Sequence, residues 1–344
     1  MRGKQGLLLL VMAAILLCGC GPSIDKQKDH EDRQTHKIQI GMAFDSFVIE
    51  RWVRDRDVFV STATKLGADV NVQNANGDVQ EQISQIEYFI EKNMDVIVVV
   101  AVDSEKLTAV MQKAKKAGIR TICYDRLVLN ANADLYISFD NEKVGTLIAD
   151  AMKEALPDGG KIFCIKGSAE DYNVALIEQG FLEAIANSNL EIVYEANCKG
   201  WLAEEAFDYV ADGLAKYPDV AGVMCGNDDL ASYAFRALAE NRKAGKVILA
   251  GQDADLAACQ RIVEGTQYMT VYKSVDALAG EAAEAAIKLA KGEPLGAKET
   301  ISDGENEVPF QKLIPVVVTR ENIDEIIVDG GFHLKQDVYL NVNK

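Results

Sequence analysis

The sequence predicts an α/β protein built as two doubly wound, parallel-sheet lobes, and three observations predict it. From residue 37 onward, short apolar runs alternate with amphipathic stretches of helical length. Several of the short runs, such as 95–100, are apolar almost throughout, which suits parallel strands covered by helices on both faces. Repeated units of this kind imply right-handed crossovers, and about a dozen of them would make one sheet far too wide. A chain of 344 residues is also long for one ordinary domain and comfortable for two.

The elements follow in order. Segment 37–44 reads as a strand, and 50–66 as a helix stopped by Gly67, the expected residue just past a helix end. Segment 68–74 alternates apolar and polar residues, as a half-covered strand does. Asp78 can cap the next helix, with Glu81 three residues on to complete a capping box. That helix places Ile83, Ile86, Phe89 and Ile90 on one face. A strand over 95–100, a helix over 104–117 and a strand over 119–124 complete the first series. A second series begins near Tyr136, where helices 141–156, 175–187, 202–216 and 230–244 alternate with strands 161–165, 190–195, 220–225 and 246–250. The end holds a short helix near 255–264, a strand 269–272, an Ala-rich helix to about 291, a strand 314–319 and a helix 321–328. No linker divides this body, so the chain is expected to cross between its lobes more than once.

The amino terminus is different in kind. Arg2 and Lys4 precede an apolar run from Leu7 to Leu17, too short to span a bilayer and the right length for a signal-peptide core. It ends in Leu17-Cys18-Gly19-Cys20, a lipobox-like sequence. The expectation is a lipoprotein signal peptide over 1–19 and a lipidated Cys20, since two or more acyl chains make a stable anchor. Residues 20–36 are polar and should form a tether, with a reach of roughly 20–25 Å. The chain is then exported and anchored to the cell membrane, facing the periplasm or the exterior.

Bulk chemistry narrows the functions. A formal charge of -17 excludes nucleic acid as a partner. The mean hydropathy of -0.03 excludes a polytopic membrane protein. His30, His36 and His333 lie in the tether and near the end, so no histidine triad or metal cluster is expected, and no phosphate-binding glycine motif follows a strand. Beyond the signal lie Cys123, Cys164, Cys198, Cys225 and Cys259; Cys123, Cys164 and Cys225 sit in apolar strand-like runs and read as small buried hydrophobes, and the spacings of the five imply no disulfide framework.

In open parallel sheets, ligands bind beyond the carboxyl ends of the strands. The residues found there are Arg51 and Trp52, Asp125 and Arg126, Gly167, Ser168, Asp171 and Asn173, Trp201, Asn227 and Asp228, Gln252 and Asp253, and Lys273. Asp125, Asp171 and Asp253 balance Arg51, Arg126 and Lys273, so the set suits an uncharged ligand that donates and accepts hydrogen bonds. Sugar hydroxyls do both, and the chain's two tryptophans could cover the CH face of a pyranose. Singly, each strand-end Asp or Asn could be a helix cap; the expectation rests on the set.

The motifs around these positions are Glu50-Arg51-Trp52, Tyr124-Asp125-Arg126, 136–145, Gly200-Trp201-Leu202, Gly226-Asn227-Asp228, 251–256 and 265–273. From about 37 to 332 they resemble, in the same order, the xylose-binding members of the ribose- and galactose-type family of bacterial periplasmic sugar-binding proteins. The resemblance implies the type I periplasmic binding protein fold, with crossings near Phe139, 271–274 and 317–320. The lobes would be 37–139 plus 274–317, and 140–273 plus 318–338. It implies that Arg51, Asp125, Arg126, Asp171, Asn173, Asn227, Asp253 and Lys273 contact one monosaccharide, with Trp52 and Trp201 lining its ring. The implied role is capture of a neutral sugar, D-xylose first, for delivery to a membrane ABC permease, by a monomer without catalysis, cofactor or metal. No calcium loop of the galactose-binding type is seen. Glucose, ribose or arabinose remain alternative ligands, and a chemoreceptor or sensor kinase an alternative partner. A repressor with this core would carry a helix-turn-helix headpiece where this chain carries an export signal.

Overall fold

A computed structural model describes residues 37–342. The expected signal peptide 1–19, Cys20 and the tether 20–36 lie outside the described residues.

Two sheets organise the chain. The first contains β1 (Gln39–Phe44), β2 (Asp69–Asn74), β3 (Val96–Val99), β4 (Arg120–Tyr124), β5 (Leu135–Phe139), β11 (Glu299–Ser302) and β12 (Glu307–Leu313), in the order β11-β12-β5-β4-β3-β1-β2. The second contains β6 (Gly160–Lys166), β7 (Leu190–Asn197), β8 (Gly222–Cys225), β9 (Ile248–Ala250), β10 (Met269–Tyr272) and β13 (Val316–Thr319), in the order β13-β10-β9-β8-β6-β7. All pairings are parallel except β11 with β12 and β13 with β10. Strands such as β3 and β8 are buried at every residue, as the unbroken apolar runs require.

The helices are α1 (Arg51–Lys65), α2 (Val79–Glu91), α3 (Thr108–Lys116), α4 (Asn141–Ala155), α5 (Tyr172–Ile185), α6 (Glu204–Lys216), α7 (Asp228–Glu240), α8 (Leu256–Glu264), α9 (Val275–Lys291) and the short α10 (Lys335–Val338). Asp78 caps α2 by accepting from the N–H groups of Gln80 and Glu81. The reciprocal half of the expected box is missing, because the Glu81 carboxylate takes a hydrogen bond from Gln85 instead.

The chain passes between the sheets three times, after β5, after β10 and after β12. α4 packs against β9 and β10 of the second sheet, whereas α9 returns to α1 and to β3, β4 and β5 of the first. The third passage falls at Ile314-Pro315, earlier than the expected 317–320, because 316–319 is already hydrogen-bonded along β10. Pro315 has no N–H for a ladder, which ends one strand and frees the next to change sheets. The β11–β12 hairpin escaped the sequence reading, and the helix expected over 321–328 forms only as a wide π-type turn, Asp324–Asp329.

α4 and α5 cross so closely that both contact points are glycine. A Cβ on Gly145 would stand 2.0 Å from the Ile177 carbonyl oxygen, and one on Gly180 would stand 2.0 Å from that of Glu142. Gly180→Ala should therefore destabilise the second lobe by about 1–3 kcal/mol, the scale of overpacking. Urea unfolding checks this, with the midpoint falling at unchanged slope; an unmoved midpoint would show that the helices can separate freely.

All five described cysteines are buried and free of disulfides, and Cys259 donates from its thiol to the Ala254 carbonyl at 3.4 Å.

Candidate functional site

The carboxyl ends of the two sheets face one cleft, and the strand-end residues singled out above line it except Gly167, Ser168 and Asp228. Arg51 and Trp52 open α1 beyond β1, and Asp125 and Arg126 follow β4. From the second lobe, Asp171 and Asn173 start α5, Trp201 ends a single 3-10 turn after β7, Asn227 caps α7, Asp253 follows β9 and Lys273 follows β10. These ten surround one cavity together with Ile49, Asn141, Ile177 and Gln252.

The charged groups interlock across the cleft. Arg51, whose side chain is 3% exposed, reaches Asp55 at 3.1 Å, Asp125 at 3.0 Å and Asp253 of the opposite lobe at 3.7 Å. Arg126 reaches Asp45 at 2.6 Å and Asp171 of the opposite lobe at 2.7 Å. Lys273 pairs with Asp253 at 2.7 Å. The Asn173 amide donates to the Asp125 backbone carbonyl at 3.0 Å, again between lobes. The guanidinium of Arg126 lies 5.5 Å from the Trp52 ring and 6.0 Å from the Trp201 ring, between the two indoles. Trp201 donates from Nε1 to Asp171 at 3.2 Å. Its ring lies against Gly167, where a Cβ would come within 2.2 Å of the indole, so only glycine admits it.

Polar capacity is left over here. Of the nine buried side-chain atoms without a hydrogen bond among the described residues, six belong to residues of this cavity. Arg126 Nε and Asp253 Oδ1 are within ion-pair distance of Asp171 and Lys273, at angles that miss hydrogen-bond geometry. Trp52 Nε1, Arg126 Nη2, Asn227 Nδ2 and Gln252 Oε1 have no hydrogen-bond partner. Asn227 shows both of its expected roles at once, since its oxygen caps α7 through the Leu230 N–H at 2.9 Å while its amide nitrogen stays free. Buried polar groups are nearly always satisfied, so donors and acceptors converging on one cavity point to a polar ligand.

The backbone is strained at the same place. Asp125, Trp201, Asp253 and Ala254 have φ of 61°, 61°, 97° and 58°, a region that residues other than glycine seldom enter. Such strain collects where side chains must be aimed. For Asp253 the conformation is held by its N–H bond to Val271 O at 2.8 Å and by the next N–H, of Ala254, bonding Thr270 Oγ1 at 3.2 Å.

Asp45 and Asp55 were missed by the sequence reading, and they alter its charge count. Five buried carboxylates now face three cations. Burial pushes the Asp45, Asp55 and Asp171 carboxyls upward despite their arginine partners. Asp125 goes the other way, because the charges of Arg51, Lys273 and Arg126 together outweigh its burial. Asp45 directly follows β1, so the strand-end rule could have found it, and Asp55 stands at the i+4 ion-pair position from Arg51.

Residues 40–294 match the family model described as a periplasmic binding protein domain. The chain belongs to the periplasmic binding protein family. It is a family of binding proteins, not of enzymes. This binding protein is 41% identical to the D-xylose-binding periplasmic protein of Haemophilus influenzae, over 98% of this chain and 100% of the relative. It is 39% identical to the Escherichia coli protein of the same name, over 88% and 93%. Among solved structures, a solute-binding protein of an ABC transporter from Clostridium phytofermentans with bound β-D-glucose superposes with a TM-score of 0.80. That pair shares 27% identity and covers 87% of this chain and 99% of the other. The type I periplasmic binding protein fold follows.

At the cleft margin of this binding protein lies a second acidic group, Glu50, Asp229 and Asp255. Burial raises Asp229 to about 6 and, with the charges of Asp228 and Asp253, Asp255 well above the ordinary value. A carboxyl raised on folding stabilises the fold fully below about pH 4, its unfolded value, and loses that contribution as pH rises through its folded value. Asp229→Asn in chelator-treated buffer should therefore match the parent at pH 4 and become relatively more stable toward pH 8. Thermal unfolding across that range checks the sign; a difference independent of pH would refute it.

Proposed function

We propose that the chain is an extracytoplasmic receptor for a neutral monosaccharide, D-xylose first, which it delivers to a membrane ABC importer. One observation carries the reading: ten side chains from both lobes converge on a single cavity and leave unmatched donors and acceptors there. Two indoles among them offer a ring-sized apolar surface. Arg51, Asp125, Arg126, Asp171, Asn173, Asn227, Asp253 and Lys273 are the proposed hydroxyl partners, and Trp52 and Trp201 the walls. The names of the two xylose-binding relatives support the choice of sugar. Charged partners strengthen sugar hydrogen bonds, and closure by a hinge motion would exclude water from them.

The glucose held by the similar solved structure favours a second reading, the same role for a hexose. A thermal-shift panel of xylose, ribose, arabinose and glucose separates the two. At about a hundredfold excess over its Kd a true ligand adds about 2.7 kcal/mol of apparent stability. D-xylose is expected to give the largest shift, and a panel without any shift would end the receptor reading. Loss of labelled-xylose uptake in a deletion strain distinguishes import from a purely sensory role. Lipidation of Cys20 is part of the proposal, resting on the lipobox-like sequence. Cys20→Ala should then move the protein from the membrane to the soluble fraction.

A further inference from the structure

Three carboxylates meet where the lobes touch at the cleft margin. Glu50 immediately precedes α1 in the first lobe, while Asp229 lies in the first turn of α7 and Asp255 immediately precedes α8 in the second. One carboxylate oxygen from each lies within 4.8 Å of the other two. Two oxygens on opposite sides of a calcium ion span about that distance, since Ca–O bonds run about 2.3–2.6 Å. The lobes already touch here, because the Glu50 N–H points to Asp229 Oδ2 at 3.4 Å. Of the nearby cations, Arg54 pairs with Asp276, and Arg261 bonds Gln267 and Ser232 through Nε and Nη1, so its charge reaches Asp229 and Asp255 only from a distance while its Nη2 stays unbonded.

A separate observation points to a ligand. Asp255 is only 7% exposed, yet among the described residues its carboxylate accepts no hydrogen bond and joins no ion pair within 4 Å. It stands where a cap would bond the first turn of α8, and it does not do so. Its neighbour Asp228 has both oxygens engaged, by Gln267 at 2.8 Å and by Thr270 at 2.6 Å. The Asp255 carboxylate instead brings an oxygen within 4.8 Å of one from each of the other two acids.

We propose that Glu50, Asp229 and Asp255 form a divalent-cation site, of calcium type, that bridges the two lobes when the cleft is shut. Oxygen-only donors disfavour zinc and copper, and an irregular set with one exposed member suits calcium better than magnesium, which demands a near-ideal octahedron. Extracellular calcium modules bind at about 10⁻⁴–10⁻³ M, so a weak site suffices outside the cytoplasm. A cation that prefers the shut form must raise sugar affinity by the same factor by which sugar raises cation affinity. The site uses the two-lobed closure of the receptor reading and is independent of which sugar is bound.

The test is calorimetry on chelator-stripped protein at pH 7.5, titrating calcium chloride with and without D-xylose, and D-xylose with and without calcium. Calcium is expected to bind, and to bind about fivefold or more tighter when xylose is present. The doubly substituted E50Q/D229N protein should lose calcium binding and the coupling, yet keep the parent's xylose affinity in chelator. No calcium heat at about 10 mM, well above the extracellular range, would overturn the site and leave three carboxyls that simply share protons. Calcium coupling retained by E50Q/D229N would also overturn it. Should xylose itself give no heat, the receptor reading fails, while the calcium titration of the parent against E50Q/D229N still decides the cation site.

Discussion

Arg51→Met is expected to destabilise the protein by about 3–5 kcal/mol, the cost of removing one partner from a buried ion pair, and to abolish sugar binding. The guanidinium is almost fully enclosed and serves Asp55, Asp125 and Asp253 at once. Methionine can fill much of the volume but leaves three carboxylates without their shared cation. Asp55 also accepts from the Tyr124 hydroxyl, and burial already pushes its carboxyl upward, so it can take a proton at modest cost. Asp125 is held low chiefly by Arg51, and without it that carboxyl should rise too. Raised carboxyls stabilise at low pH and lose that contribution as pH climbs through their folded values. The deficit should therefore be smaller at pH 5 than at pH 8. Urea unfolding at both pH values measures it. A loss below about 1 kcal/mol, the scale of an exposed pair, or a deficit that ignores pH, would show that Arg51 does not organise this cluster.

Much of this arrangement is legible in the chain before any coordinates. Strand 269–272 was placed at its observed bounds, and the runs 95–100, 161–165 and 220–225 each fall within two residues of β3, β6 and β8. These strands are buried on both faces, so hydrophobicity alone marks them. The β11–β12 hairpin carries no such mark. β11 is mostly exposed, Pro309 interrupts β12, and the sequence between is Asp303-Gly304-Glu305-Asn306. An Asp-Gly turn is a hairpin signal, but its flanking strands bury too little to reinforce it. β13 was seen as a strand and its sheet was not, because membership is decided by antiparallel pairing with β10, a contact forty-odd residues away.

The site was more legible than the fold's edges, for a topological reason. A strand's carboxyl end can be read one strand at a time, and in a doubly wound sheet all such ends point the same way. Asp55 escaped because it sits a full turn into α1, on a face that could as well have been solvated. The unmatched atoms of Asn227 and Gln252 also lay beyond sequence reasoning, which cannot tell the half of an amide that caps a helix from the half that faces a cavity.

Trp201→Ala is expected to weaken D-xylose binding by at least about 1–3 kcal/mol, the scale for leaving a buried polar partner unpaired, and to lower stability by about 3–5 kcal/mol, the scale of truncating a buried tryptophan. The residue ends a single 3-10 turn outside both sheets, yet it is buried in the same core cluster as Phe163 and Ile165. Its loss removes one wall of the cleft and the Nε1 donor to Asp171 together. Asp171 then keeps Arg126 as its cation, although Arg126 is no longer flanked by two indoles. Trp201→Phe separates these contributions, since it retains an aromatic face over Gly167 and deletes only the donor. If the wall dominates, phenylalanine should recover most of the affinity; if the Asp171 bond dominates, it should recover little. Calorimetric titration of both variants, beside their melting temperatures, distinguishes the outcomes. Parent-like affinity in the alanine variant would mean that sugar does not lie against this indole, and the proposed cleft geometry would fail with it.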